Sequence, residues 1–166
     1  MIIKSFDLKN KKLSDFKSVL LYGVNQGYKS DVIKENFAHT FKGEILNLEE
    51  NEILDNQSIF VEKLMNKSLF DEEKLIIISR STNKILKFVE EFFEKKIENV
   101  KLIINAESLD KKSKLRSLFE KENNLACVPF YEDNQQSLSI YANSFLNEKK
   151  IKISREILNL VLERAR

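Results

Sequence analysis

Tryptophan is absent from this chain of 166 residues, and cysteine, histidine and proline each occur once. The lone Cys127 excludes an internal disulfide, a CxxC pair and a thiolate metal cluster. Its setting, Leu125-Ala126-Cys127-Val128, reads as a buried strand in which cysteine acts as a small hydrophobe. With His39 as the lone histidine, His-built metal sites and Ser-His-Asp triads are not expected, and no metal or cofactor is called for. Three glycines and one proline leave nothing that resembles a flexible linker. No apolar run approaches the ~18 residues of a membrane span, and the first residues lack a signal-peptide pattern. The expected location is the cytoplasm, with no membrane partner. An excess of one charge is missing too: 28 basic residues stand against 26 acidic ones, a net charge of +2. Chains that bind nucleic acid strongly on their own carry a heavier basic surplus or a basic stripe. Direct nucleic-acid binding is therefore not demanded.

What the chain does have is a core. It is 42% hydrophobic and 33% charged, with twelve phenylalanines and four tyrosines. Short β-branched runs alternate with helical patterns. Ser18–Tyr22 reads as a buried strand ending at Gly23, and the stretch from about Lys29 to Phe41 as a helix with Val32, Ile33, Phe37 and Phe41 on one face. Residues 44–47 form a short strand, and 56–66 a helix that turns Ile59, Phe60 and Leu64 inward. Lys74–Ile78 is the strongest strand, followed by a helix from Lys84 to Lys96 with Ile85, Phe88, Val89 and Phe92 on one stripe. A strand at 100–104, a helix at 112–122 with Leu115, Leu118 and Phe119 inward, and a strand at 125–128 complete the alternation, and Ile2–Phe6 adds an edge strand. Strands apolar on both faces and separated by helices call for a parallel sheet between helical layers, a three-layer α/β domain over residues 1–131. Beyond Pro129 the pattern becomes purely helical. Leu138, Tyr141, Ala142 and Phe145 share a stripe, and Ser154 offers an N-cap before Ile157, Leu158, Val161 and Leu162. Residues 132–166 thus read as the first helices of a small α-helical domain, truncated before its completion.

Between the first strand and first helix lies Gly23-Val24-Asn25-Gln26-Gly27-Tyr28-Lys29-Ser30. This is where a phosphate-binding P-loop belongs, with the pattern G-x-x-x-x-G-K-[ST]. Gly23, Lys29 and Ser30 fall at the right offsets, but Tyr28 occupies the position that needs glycine, and Gly27 lies one place early. A Cβ bearing a phenol obstructs the approach of phosphate to backbone N–H groups and disfavours positive φ. An acidic residue to hold magnesium is also missing: one neighbouring strand ends in Ser79-Arg80 and the other in Asn105-Ala106, with Glu107 in the loop beyond. The loop reads as a fold that kept the architecture of a P-loop NTPase and lost its chemistry. The alternative is a nucleotide-binding ATPase with an atypical loop that tolerates Tyr28.

Five stretches, in order and spacing, resemble the delta subunit of the bacterial DNA polymerase III clamp loader. They are Val19–Gly23 with its degenerate loop, Asn66–Phe70, Ala106–Leu115, Pro129–Tyr131 and Lys152–Ser154. Together they span nearly all of the chain. The resemblance implies an AAA+-type domain that does not hydrolyse ATP, followed by the start of a helical lid, with the family's third, collar domain absent. It implies no enzyme by itself, only an association with polymerase through the holoenzyme. The implied function is to bind the ring-shaped sliding clamp and open it with a hydrophobic wedge at a helix tip. That wedge maps onto Leu69 and Phe70, flanked by Met65 and Ser68. Other clamp-loader subunits are implied partners where a collar domain exists. DNA contact would be indirect or weak, through the basic run Lys111, Lys112, Lys114 and Arg116. The same run reads equally as the solvated face of a helix.

Overall fold

The computed structural model describes residues 1–5, 8, 11–65 and 73–164. The chain divides into two compact units, Met1–Phe130 and Tyr131–Arg166. The first contains strands β1 (Ser18–Tyr22), β2 (Glu44–Glu49), β3 (Lys74–Ser81), β4 (Val100–Ala106) and β5 (Leu125–Pro129). Its helices are α1 (Gln26–Ile33, prolonged by a π turn at Lys34–Ala38), α2 (Glu50–Leu54), α3 (Gln57–Met65), α4 (Leu86–Glu94, entered by a 3-10 turn at Asn83–Ile85) and α5 (Lys114–Lys121).

All five strands are parallel, in the order β2-β3-β4-β1-β5. Because side chains alternate along a strand, each strand supplies two separate cores. Leu20, Ile76, Ile104 and Cys127 point to one face, where they meet Ile53 of α2, Val61 of α3, Phe88 of α4 and Phe119 of α5. Val19, Ile77, Ile103 and Val128 point to the other, against Val32, Ile33 and Phe37 of the first helical segment and Ile3 and Leu13 from the N-terminal stretch. This is the expected three-layer α/β sandwich.

The first core is rich in phenylalanine. Successive ring pairs link Phe60, Phe88, Phe92, Phe93 and Phe119 at centroid separations of 5.7 to 6.2 Å. Phe88, Phe92 and Phe119 are fully buried, and each contributes roughly 1.5–3 kcal/mol by leaving water. Burial also explains Cys127: its thiol is pushed up to about 12 by desolvation first and Glu120 second, so it is an inert core residue.

Several local expectations are corrected. The first helix begins at Gln26 because Asn25 caps it, its side chain accepting from the Tyr28 N–H. Phe41 is only partly buried against the second core. The helix α2 had no apolar signature; it starts with a capping box between Glu49 and Glu52. In α3, Ile59 is 54% exposed, and the inward position falls to Val61 beside Leu64. At the N-terminus, the expected edge strand reduces to one bridge between Ile2 and Cys127 among the described residues. The Met1 ammonium donates to the carbonyls of Phe119, Glu122 and Leu125 at 2.8–2.9 Å. It thereby caps the end of α5.

The second unit consists of α6 (Gln135–Glu148) and α7 (Arg155–Arg164). Asn134 and Ser137 form a reciprocal capping box at the start of α6. Ser154 Oγ accepts from the Ile157 N–H at the start of α7, as expected of its position. Gln135 and Leu138 line one small cavity with Leu162 and Glu163, so the two helices run antiparallel. Among the described residues, no helix is long and apolar enough to cross a membrane.

Candidate functional site

Ligands of open parallel sheets bind beyond the carboxyl ends of the strands, where the connections diverge to opposite sides. Here that place is the exit of β1, between β4 and β5, and the Gly23–Ser30 loop lies over it. The loop closes on its own chain. Gly23 has φ +122, and a Cβ there would come within 2.1 Å of the Phe130 carbonyl oxygen, so the position requires glycine. Its N–H donates to Glu107 O at 3.1 Å. Asn25 N–H donates to Phe130 O (3.4 Å), Gln26 N–H to Val24 O (2.8 Å) and Tyr28 N–H to Asn25 Oδ1 (3.1 Å). These are among the N–H groups that a phosphate-binding loop turns toward its anion.

Tyr28 sits differently from the expectation. It is the third residue of α1, its φ is not positive, and Gly23 is the one loop residue in the left-handed region. The ring packs edge-on against Phe130 at 5.1 Å, and the hydroxyl donates to Ser5 O at 3.1 Å. The side chain therefore anchors the start of α1 in the second core. Gly27 lies in the helix, where a Cβ would meet only Asn25 Oδ1, at an ordinary contact distance of 4.0 Å. Ser30 is exposed.

Lys29 is fully buried, and its Nζ donates to the Ala106 carbonyl at the end of β4 at 2.6 Å. Desolvation lowers its pKa to about 8, against an opposing pull from Glu107. Asn105, on the same strand end, carries a buried side-chain oxygen that has no hydrogen-bond partner among the described residues.

The exit of β3, where a magnesium carboxylate would stand, is occupied by a bulge. Arg80 adopts φ 54 between Ile78 and Ser81 and pairs with Glu49 at 3.1 Å. The nearby buried carboxylate, Glu50, is the first residue of α2. It accepts from the Thr82 N–H at 2.7 Å and from the Thr82 hydroxyl at 3.0 and 3.1 Å. This clasp escaped sequence reasoning because Glu50, at the start of α2, and Thr82, just after β3, are 32 residues apart in the sequence. Among the described residues, no group of three or more acidic, histidine or cysteine side chains is placed to hold a metal ion.

The basic run divides. Lys111, Lys112 and Lys114 are exposed. Arg116 instead belongs to the fold: it pairs with Glu120 at 2.6 Å and lies 5.0 Å over the Tyr22 ring. Glu120, four residues on, was the available signal. Ser113, which caps α5, also donates to Asn83 Oδ1 at 2.6 Å. Lys84, next to Asn83 in the sequence, is exposed as well. Of the wedge residues, Ser68, Leu69 and Phe70 lie outside the described residues, as does the side chain of Met65, which ends α3.

No protein-family model and no curated protein matches the sequence. Among solved structures, the chain is similar to domain III from the Thermotoga maritima replication initiation protein DnaA. The identity is 14% and the TM-score 0.44, over 96% of this chain and 72% of that one. It is also similar to a DNA replication initiation factor, at 18% identity and a TM-score of 0.40, over 95% of this chain and 53% of that one.

Proposed function

We propose that the chain is a non-catalytic, delta-like clamp-loader module of DNA replication, which grips the sliding clamp through Leu69 and Phe70. The observation that carries the non-catalytic part is the direction of Lys29. Its ammonium is buried on Ala106 O, while four of the surrounding loop N–H groups, those of Gly23, Asn25, Gln26 and Tyr28, are bonded to Glu107 O, Phe130 O, Val24 O and Asn25 Oδ1. Seating a phosphate there would mean breaking those bonds and rotating Lys29 out of the core. A module relieved of nucleotide chemistry still offers a parallel sheet with α3 packed on it, and Leu69-Phe70 follows α3 in the sequence. Burying both side chains in a partner is worth roughly 1.5–3 kcal/mol each, enough for about micromolar affinity when neighbouring contacts assist. Lys111, Lys112 and Lys114 supply a weak, sequence-independent attraction for DNA in an assembled loader, where ATP would act in sibling subunits.

The test is calorimetric titration of the chain with the sliding clamp of the same organism. Leu69→Ala combined with Phe70→Ala is expected to abolish binding while circular dichroism stays unchanged. Unaltered affinity would sink the wedge assignment. The offsets of Gly23, Lys29 and Ser30 favour a second reading, a nucleotide-binding ATPase. Saturable Mg²⁺-ATP binding that disappears in Lys29→Ala would move the assignment to that enzyme.

A further inference from the structure

In a chain one-third of whose residues are charged, α6 carries no charge from Gln135 to Asn147. Its polar positions are amides and hydroxyls, and Tyr141 and Phe145 stand 51% and 48% exposed among them. On α7, Leu158 and Leu162 are buried, while Ile157 and Val161 remain 51% and 53% exposed. Residues four apart share a helix face, so each helix has a second apolar stripe beside its inner one. In an antiparallel pair these two stripes fall on the same side. The result is one apolar face of Tyr141, Phe145, Ile157 and Val161. Depletion of charge with aromatic enrichment is the composition of a protein–protein interface core.

The charges lie at the two ends of the hairpin and have opposite signs. Around the turn, Lys149, Lys150, Lys152 and Arg155 outnumber Glu148 and Glu156 by two. At the open end, Glu132, Asp133 and Glu163 stand against Arg164, with Arg166 two residues further along the sequence, an acidic excess of one. A two-fold axis in the plane of this face that keeps the helices of the two copies aligned sets them turn on turn or turn on open end. The first sets like charges together at both ends, and the second sets opposite charges together at both.

We infer that this face is the site of homodimerisation, in which two α6–α7 hairpins pack antiparallel as a four-helix bundle. The turn of each copy lies against the open end of the other. The aromatic and β-branched side chains supply the buried centre, and the end charges select the orientation.

Sedimentation equilibrium of the full chain tests this. The expected result is a concentration-dependent dimer that weakens as salt rises, because the rim charges are screened. Phe145→Glu with Val161→Glu should raise the dissociation constant ~100-fold or more with circular dichroism unchanged. Reversing the turn alone, Lys149→Glu with Lys152→Glu, should raise it ~tenfold. Adding Glu132→Lys with Glu163→Lys in the same chain should restore it. A turn-on-turn dimer would not respond to reversal of one end, so indifference to the turn reversal overturns the antiparallel arrangement. A chain that stays monomeric overturns the proposal, including one that binds lipid vesicles or another protein's helix through this face. A dimer indifferent to Phe145 and Val161 does the same.

Discussion

Removing the Lys29 ammonium while keeping its apolar stem tests whether the loop is closed in solution. In Lys29→Met the apolar stem survives, and the ammonium with its bond to Ala106 O is lost. Burial lowers the Lys29 pKa from 10.5 to about 8, so between those values the unfolded chain binds more protons than the folded one. Stability contributed by this group must therefore rise as pH rises through that window. Below pH 8 the wild type carries the whole cost of a buried ammonium, and near pH 10 most of that cost is relieved. Integrating the shift gives a relative gain of about 2 kcal/mol between pH 7 and pH 10. Other lysines and tyrosines titrate there too, so the quantity to read is the difference between wild type and variant in urea unfolding at the two pH values. The variant should lack the gain. Parallel profiles would refute the reasoning, because they would mean that the ammonium is solvated and free to meet a phosphate.

Other expectations follow from the same geometry. Gly23→Ala should destabilise the domain by about 3 kcal/mol or more, since its Cβ meets Phe130 O at 2.1 Å and its φ disfavours an L residue; thermal unfolding reads this directly. On α3, Val61→Ala should cost about 1–3 kcal/mol, whereas Ile59→Ser, at an exposed site, should stay within about 0.5 kcal/mol. On the proposed function, Lys111→Gln, Lys112→Gln and Lys114→Gln together should flatten the salt dependence of DNA binding by an assembled loader, whereas Arg116→Gln should lower stability instead.

The sheet was legible because strands buried on both faces must be apolar at every position, and Val19–Leu21, Leu75–Ile78 and Leu102–Ile104 are. Their order was not, because strand adjacency depends on where the crossovers land. Short or two-faced elements also escaped. The five-residue α2 is held by Glu50 on Thr82 rather than by an apolar stripe. In α3, Ile59 and Val61 are both apolar, and only the direction from which the sheet arrives decides which is buried. The candidate site shows the same division. Lys29 was identified by its offset from Gly23, but its destination belongs to a strand 77 residues away in sequence. Tyr28 was correctly seen as a departure, yet the consequence drawn from it assumed a glycine-like φ that a residue inside α1 does not need.

What decides the chemistry of the loop is the sign of the groups gathered at the exit of β1. Phosphate asks for donors, since its oxygens are acceptors and carry negative charge. The atoms brought close to Gly23 and Lys29 are instead carbonyl oxygens, those of Phe130 and Ala106, with the Asn105 side-chain oxygen buried nearby on the same strand end. Phe130 is held there from several sides: its N–H donates to Tyr22 O at 2.7 Å, its carbonyl accepts from Asn25, and its ring meets Tyr28 edge-on. The missing Cβ of Gly23 therefore admits the chain's own Phe130 carbonyl. Substituting glycine for Tyr28 would leave that oxygen in place. Tyr28→Gly is accordingly expected to loosen the Ser5 and Phe130 contacts and lower stability without creating an ATP site, and nucleotide binding gained by that single change would show that the phenol, not the Phe130 carbonyl, closes the loop.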